Sequence, residues 1–236
     1  MTRKFDPADL PACPDLHFEQ ALWAGGALAV AGLDEAGRGA WAGPVCAGAV
    51  MLPPEDGSLC AWLAGVRDSK QMTPRQREYW AGVIRAGARA WGVGFAGPGE
   101  IDTLGILPAT RLAMHRALAQ LPAPPQHLLL DALRLPGLHL PQTALIKGDA
   151  RSLSIAAASV LAKTARDALM TALEELYPGY GFAAHKGYGT AAHQSALQCL
   201  GPSPVHRRSF APVRLLQNAG GFITNGANNG VDANNF

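Results

Sequence analysis

Cysteine is scarce and never paired in this sequence. Cys13, Cys46, Cys60 and Cys199 are scattered over 236 residues with no C-x-x-C spacing. Neither a zinc site nor a disulfide framework is supported, and reduced thiols in a cytoplasmic protein are the expectation. Long apolar runs are missing too: no stretch has the length and hydrophobicity to span a bilayer. Residues 21–33 have the look of a signal-peptide core. The segment before them, however, sets Asp6, Asp9, Asp15 and Glu19 against Arg3 and Lys4, so the required basic start is absent. A soluble, intracellular protein is expected. Charge of either sign is thin, at 16% of residues with a net +2. That permits a nucleic-acid partner without demanding one, because local clustering outweighs the total. Apolar residues, at 48%, are plentiful. They suffice for a full core, as one large domain or a domain with a helical appendage.

The most informative stretch is residues 28–45. An apolar run, Leu28 to Leu33, ends in Asp34-Glu35 and passes into Gly37-Arg38-Gly39. The run is short and bounded by glycine, which suits a buried strand better than a helix. Neighbouring strand residues face opposite ways, so the two acids can share a site only where the strand ends and the backbone turns. Adjacent carboxylates repel unless protonated or bridged by a cation, and oxygen ligands suit magnesium or manganese. Gly37 and Gly39 allow close backbone approach, with amides able to meet phosphate or sugar hydroxyls. Gly37-x-Gly39-x-x-Ala42, with Glu55 and Asp56 beyond, also fits a dinucleotide-binding fingerprint. That fingerprint must open a helix, whereas Gly39, Gly43, Pro44 and Gly48 crowd the next ten residues and Val45 to Leu52 reads as a strand. The dinucleotide reading is rejected.

Along the chain, residues 1–15 with Pro7, Pro11 and Pro14 read as irregular, and Phe18 to Trp23 as one short helical turn. Strands at 28–34 and 44–52 should pair as neighbours. Asp68-Ser69-Lys70 forms a loop ahead of Thr73-Pro74, a good helix start. That helix runs to Gly87, with Tyr79, Trp80, Val83 and Ile84 facing inward. Trp91 to Phe95 is a third strand and Pro108 to Leu121 a helix. His127 to Leu130 is a strand ending in Asp131, and Thr143 to Ile146 another, followed by Lys147-Gly148-Asp149. Ser152 to Leu176 is the longest helical pattern. His185-Lys186-Gly187-Tyr188 is a loop, Thr190 to Leu200 a last helix, and the Asn/Gly-rich chain from Gln217 a disordered tail. Strands first, then strands alternating with helices, indicate an α/β fold with a mixed sheet and helices packed on it.

Three strand ends thus carry acid: Asp34 with Glu35, Asp131, and Asp149. Ligands gather at strand ends in open sheets, and four converging carboxylates could hold two divalent ions. Singly, each acid has a plainer explanation. Asp131 could cap a loop toward Pro136, and Asp149 could cap the helix starting near Ser152. Asp167 and Glu174, inside the long helix, read as solvated or paired with Arg166.

Six motifs then occur in one order: Asp34-Glu35-Ala-Gly37-Arg38-Gly39; Asp68-Ser69-Lys70; Leu-Leu-Asp131; Lys147-Gly148-Asp149 followed by Ser-Ile-Ala-Ala-Ala-Ser159-Val-Leu-Ala-Lys163; His185-Lys186-Gly187-Tyr188; and His206-Arg207-Arg208-Ser209-Phe210. In combination the chain resembles ribonuclease HII, the type 2 ribonuclease H of bacteria, from about Val30 to Val213. The resemblance implies a ribonuclease H-like mixed sheet flanked by helices, with a C-terminal helical extension. It implies an endonuclease that cleaves the RNA strand of RNA/DNA hybrids and nicks DNA 5′ of embedded ribonucleotides, as in ribonucleotide excision repair. Products would carry 3′-hydroxyl and 5′-phosphate ends, and the cofactor would be Mg2+ or Mn2+. The matching acids are Asp34, Glu35, Asp131 and Asp149. Gly37, Arg38 and Gly39 would meet the ribonucleotide 2′-hydroxyl, and Tyr188 would stack on the sugar at the RNA–DNA junction. Ser69, Lys70, Lys147 and Lys186 are candidates for phosphates. Arg207 and Arg208 could equally be a structural turn.

The resemblance has departures. Ala132 stands where many members have glycine, and Gly105 where an asparagine is common. The implied organisation is an extension over 1–27, a catalytic domain over 28–178, a C-terminal helical region over 179–216 and a tail over 217–236. A monomer is the default, and a sliding clamp is a conceivable partner for which the tail offers no docking motif. A junction resolvase and a non-catalytic hybrid-binding protein are the competing functions.

Overall fold

The computed structural model describes residues 10–54 and 56–219. Five strands form one mixed sheet in the order β3-β2-β1-β4-β5: β1 Val30–Ala36, β2 Val45–Met51, β3 Ala90–Ala96, β4 His127–Asp131 and β5 Gln142–Leu145. β1 and β4 run parallel in the register Val30 opposite His127 through Leu33 opposite Leu130. β4 and β5 are parallel as well, from Leu128 opposite Gln142 to Asp131 opposite Leu145. Central strands buried on both faces read as continuous apolar runs, which is why Leu128 to Leu130 shows no alternation.

Two compact units divide the chain by internal contacts. The first comprises residues up to 36, 47–94 and 114–164; the second comprises 37–46, 95–113 and the chain from 165. In the first, α1 (His17–Ala24), α2 (Leu59–Trp62), α3 (Pro74–Gly87) and the start of α6 (Leu153–Leu176) surround the sheet. Leu16, Val50, Leu59, Leu63, Ile84, Val160 and Leu161 form its main apolar cluster. The alanine content of α6 has a steric cause. A Cβ at Gly32 would strike the backbone of Ser154, and one at Gly48 the carbonyl of Ala158. Helix and sheet therefore approach to backbone distance, which only small residues permit. Glu19 fixes α1 there. It is fully buried, and its Oε1 accepts from the Ser152 hydroxyl at 2.6 Å and from the Ser154 amide at 2.9 Å and hydroxyl at 2.6 Å. Burial raises its pKa.

The second unit holds α4 (Pro98–Leu104), the start of α5 (Ile106–Ala119), the end of α6, α7 (Phe182–His185), α8 (Ala191–Leu200) and α9 (Ala211–Ala219). Ala42, Met170, Leu173, Tyr180, Phe182 and Val205 form its core.

Several expectations change. Tyr79 does not face inward: it is 64% exposed, and the buried side chains of α3 are Arg77, Ala81 and Ile84. The helix expected at 108 begins at Ile106, and α4 precedes it unannounced. Gly97-Pro98-Gly99 looks like a breaker, yet the proline occupies the first helical turn and Glu100 Oε2 accepts the Gly97 amide at 2.9 Å. Gly105 closes α4 at φ +83 and ψ 159, a conformation essentially confined to glycine. The last strand ends at Leu145, leaving Ile146 55% exposed. Residues 217–219 of the expected tail belong to α9, and its remainder lies outside the described residues. So do residues 1–9 of the N-terminal extension.

Candidate active site

Register puts two of the acids on neighbouring strands. Leu33 pairs with Leu130 on the adjacent parallel strand, so Asp34 and Asp131 are the next residues of neighbouring strands, which lie about 4.8 Å apart. Asp131 is opposite Leu145, and the chain from β5 turns through Lys147 into a one-turn 3-10 helix, Gly148–Ala150, carrying Asp149. That turn is tied back to β4, because the Gly148 amide donates to Asp131 Oδ1 at 2.8 Å. Asp34 Oδ1 accepts the Glu35 amide at 2.7 Å. Asp34 and Asp149 are 2% and 6% exposed. Asp149 is not the cap of α6. The Ser152 hydroxyl takes that place by accepting the Ile155 amide at 3.3 Å.

Burial, and then the carboxylates of Glu35, Asp131 and Asp149, push Asp34 well above the ordinary carboxylate range. Asp131 is raised chiefly by burial, against the Gly148 hydrogen bond. Asp149 is raised by burial and then by Asp131 and Asp68. Lys70 is the counter-charge: its Nζ lies 3.6 Å from Asp149 Oδ2 and 3.9 Å from Asp68 Oδ1. Burial pulls its pKa down, but Asp68, Asp149, Asp34 and Asp131 leave it raised. The donor set is all carboxylate, the chemistry of a hard divalent cation such as Mg2+ or Mn2+, and the mutual repulsion is what such a charge would relieve. These residues fit the ion. Among the described residues no three His, Cys, Asp or Glu side chains already converge as a metal site.

The other singled-out residues fall differently. Ser69 is buried, its hydroxyl accepting from Ser159 at 2.8 Å, while Asp68 Oδ1 accepts the Lys70 amide at 2.9 Å. The pair therefore shapes the turn that presents Lys70. Lys147 is exposed, in a left-handed conformation. Lys186 Nζ donates to Thr171 Oγ1 at 2.6 Å.

In the second unit Gly37 is buried, and Arg38 and Gly39 are exposed. Two arginines, each fully buried, shape this loop. Arg207 donates to the carbonyls of Gly43 at 2.9 Å, Arg38 at 2.8 Å and Gly37 at 2.7 Å. Arg166 donates to those of Pro44 at 2.9 Å, Ala42 at 3.1 Å and Lys186 at 3.0 Å. A Cβ at Gly37 would overlap the Arg166 guanidinium. Burial, then Arg166, pushes Arg207 down to about 9. Arg166 is thus no surface partner of Asp167 or Glu174. Glu174 instead accepts the Gly181 and Ala183 amides, at 3.4 and 3.2 Å. For Arg207 the structural alternative holds. Arg208 is exposed, and Asp102 accepts its amide at 2.9 Å and that of Ser209 at 2.8 Å. Tyr188 is half-buried, its ring centroid 5.4 Å from the Arg166 guanidinium carbon.

Sequence reasoning missed Arg166 as a loop anchor. A signal existed: it sits four residues from both Ala162 and Met170 on the buried stripe of α6, where a cation must find internal acceptors.

Asp34 within β1, two residues short of the strand's end (Glu35 also lies within it), and Asp131 at the end of the adjacent parallel β4, on a sheet ordered β3-β2-β1-β4-β5, place the protein in the ribonuclease H class of α/β folds. The ribonuclease H2 of Pyrococcus horikoshii OT3 superposes with a TM-score of 0.65 at 28% identity, covering 80% of this chain and 97% of that one. A ribonuclease HIII solved in complex with Mn2+ gives 0.65 at 21% identity, over 82% of this chain and 70% of that one, and shares the fold. A family model described as Ribonuclease HII matches residues 31–213. The Ribonuclease HII of Chloroflexus aggregans is 54% identical over 200 residues, 85% of this chain and 94% of that protein. The chain belongs to the ribonuclease HII family, and is accordingly an enzyme.

Proposed function

We propose that this ribonuclease hydrolyses the RNA strand of RNA/DNA hybrids and nicks duplex DNA on the 5′ side of an embedded ribonucleotide, leaving 3′-hydroxyl and 5′-phosphate ends. The observation that carries the reading is the strand register that lines Asp34 beside Asp131 and ties Asp149 to them through Gly148. Asp34, Glu35, Asp131 and Asp149 are the residues that would hold two Mg2+ or Mn2+ ions. When bound, such ions lower the pKa of water and offset charge on a phosphodiester. The chain's own residues do the rest. Asp131 is oriented by the Gly148 amide and Asp149 by Lys70. Lys70, whose side chain is 74% exposed, can turn from Asp149 to a backbone phosphate. Lys147 and Lys186 are further phosphate candidates, with Ser69 acting through the turn it builds. Gly37, Arg38 and Gly39 meet the 2′-hydroxyl and Tyr188 stacks on the sugar, the two contacts that separate ribose from deoxyribose. Catalysis is assigned to 28–178, with 179–216 as the added helical region.

Cleavage of a DNA duplex carrying one ribonucleotide, by wild type and Asp34→Asn with either metal, tests this. A metal-dependent nick 5′ of the ribonucleotide, reduced at least 1000-fold in the variant, is expected. A wild type that binds the duplex and leaves it intact with both metals would sink the catalytic reading in favour of a hybrid-binding role.

A further inference from the structure

A line of hydrogen bonds ends on the backbone of Tyr188, and each proton along it is determined by the one before. The Ser203 amide donates to His206 Nδ1 at 2.9 Å, and the Ser203 hydroxyl lies 2.8 Å from the same nitrogen. A ring nitrogen that accepts from an amide carries no proton, so the neutral His206 holds its proton on Nε2. That atom is 3.0 Å from His193 Nε2. Two ring nitrogens can bond only if one donates, and His206 is the donor. His193 therefore keeps its proton on Nδ1, which is 3.0 Å from the Tyr188 carbonyl oxygen.

Everything around the line keeps it neutral and fixed. His193 and His206 are 0% and 1% exposed. Burial, with some help from neighbouring imidazoles, pushes them down to about 4 and about 3. His185 stacks on His193 with centroids 4.4 Å apart. Its own tautomer is set by accepting the Gly187 amide on Nδ1 at 3.2 Å and donating from Nε2 to the Tyr180 carbonyl at 2.7 Å. The Trp41 ring lies 5.5 Å from that of His193. No member of this line belongs to the acid cluster.

We propose that His193 and His206 are positioning residues that hold the Tyr188 backbone, and with it the ring over Arg166, in the attitude that places the sugar at the RNA–DNA junction. The inference rests on the reading of Tyr188 as the sugar-stacking residue. Two variants of His193 separate its two bonds. In asparagine the amide nitrogen is two bonds from Cβ, as Nδ1 is, so His193→Asn keeps the donor to Tyr188 and loses His206. In glutamine the amide oxygen is three bonds from Cβ, as Nε2 is, and it accepts, so His193→Gln keeps the bond from His206 Nε2 and loses the bond to Tyr188.

The experiment has two arms on the full chain. In the first, imidazole 15N spectra at pH 7.5 should show His206 protonated on Nε2 and His193 on Nδ1, and the Tyr188 ring resonances should move in His193→Gln but stay near wild type in His193→Asn. This arm stands whether or not the protein nicks DNA. In the second, His193→Gln should lower kcat on the single-ribonucleotide duplex about tenfold with KM within twofold, and His193→Asn should stay within threefold of wild type. On a Tyr188→Ala background His193→Gln should have no further effect. The opposite tautomers, or Tyr188 resonances indifferent to His193→Gln, overturn the proposal. Equal loss in both His193 variants, or effects that multiply with Tyr188→Ala, overturn it as well. Failure of wild type to nick removes the activity reading and leaves the spectra to decide the positioning.

Discussion

Ala132 follows Asp131 at φ +55, in the left-handed region where a β-carbon crowds the following carbonyl. The turn it makes is needed, since its amide bonds Leu145 and the next amide returns to Asp131. Glycine at this point carries no such crowding. Ala132→Gly should therefore raise the stability of the fold by about 1 kcal/mol, read as a higher denaturant midpoint at unchanged slope. A lower midpoint would mean that the alanine methyl makes packing contacts worth more than the strain. At this scale the sequence was legible where a carboxylate follows an apolar strand run, as at Asp34 and Asp131, although β1 continues past Asp34 to Ala36. It was not legible where a charged side chain serves the backbone. Arg166 and Arg207 bond only carbonyls in the contacts described, and carbonyls are anonymous in a sequence. The same holds for His193, whose partners are one ring nitrogen and one carbonyl.

Among the elements, α6 and the sheet meet through glycine rather than through side chains. At Gly48 the atom in the way is the Ala158 carbonyl, which belongs to the helix backbone and cannot rotate aside. Gly48→Ala is expected to destabilise by about 1 to 3 kcal/mol, the range for overpacking a close-packed interior, as a lowered melting temperature. Gly82, on α3 with nothing within 4 Å of a Cβ, is the control. Gly82→Ala should be neutral or stabilising. Should both variants melt together, close approach is not what α6 requires of β2. Strands and long helices were readable from apolar runs and from periodicity. The short α4 and α7 were hidden, because their stability comes from capping: Glu100 on the Gly97 amide in one, Glu174 on the Gly181 and Ala183 amides in the other. Spacing alone does not announce a carboxylate that caps a turn seven or nine residues away.

For the molecule as a whole, the neutral histidines link stability to pH. Both imidazoles titrate near 6.5 when unfolded, but near 4 and 3 in the folded protein. Above pH 6.5 neither state binds the proton and the pair adds no pH dependence. Below it the unfolded chain takes up protons that the folded chain refuses, so stability falls until about pH 3 to 4, where the folded imidazoles also titrate. Raised acids such as Glu19 act in the opposite sense, favouring the folded state as pH falls. The difference between wild type and His206→Gln isolates the imidazole part. Between pH 7 and 4.5 wild type should lose on the order of 2 kcal/mol more than the variant, measured by urea unfolding at each pH. Parallel curves would show that His206 titrates normally in the folded protein.

The register that aligns the acids also sets a timetable for synthesis. β1 is flanked by β2, which follows within a few residues, and by β4, which does not. Ala29 bonds the side chain of Gln126, 97 positions later. At about 5 to 20 residues per second, the ribosome needs roughly 5 to 20 seconds to deliver the strand that closes that side of β1. Throughout that interval Val30 to Leu33 presents an apolar edge with open hydrogen-bonding groups, the surface that nascent chains most readily lose to one another. The alignment that sets Asp34 beside Asp131 thus leaves one side of β1 without its partner until β4 emerges.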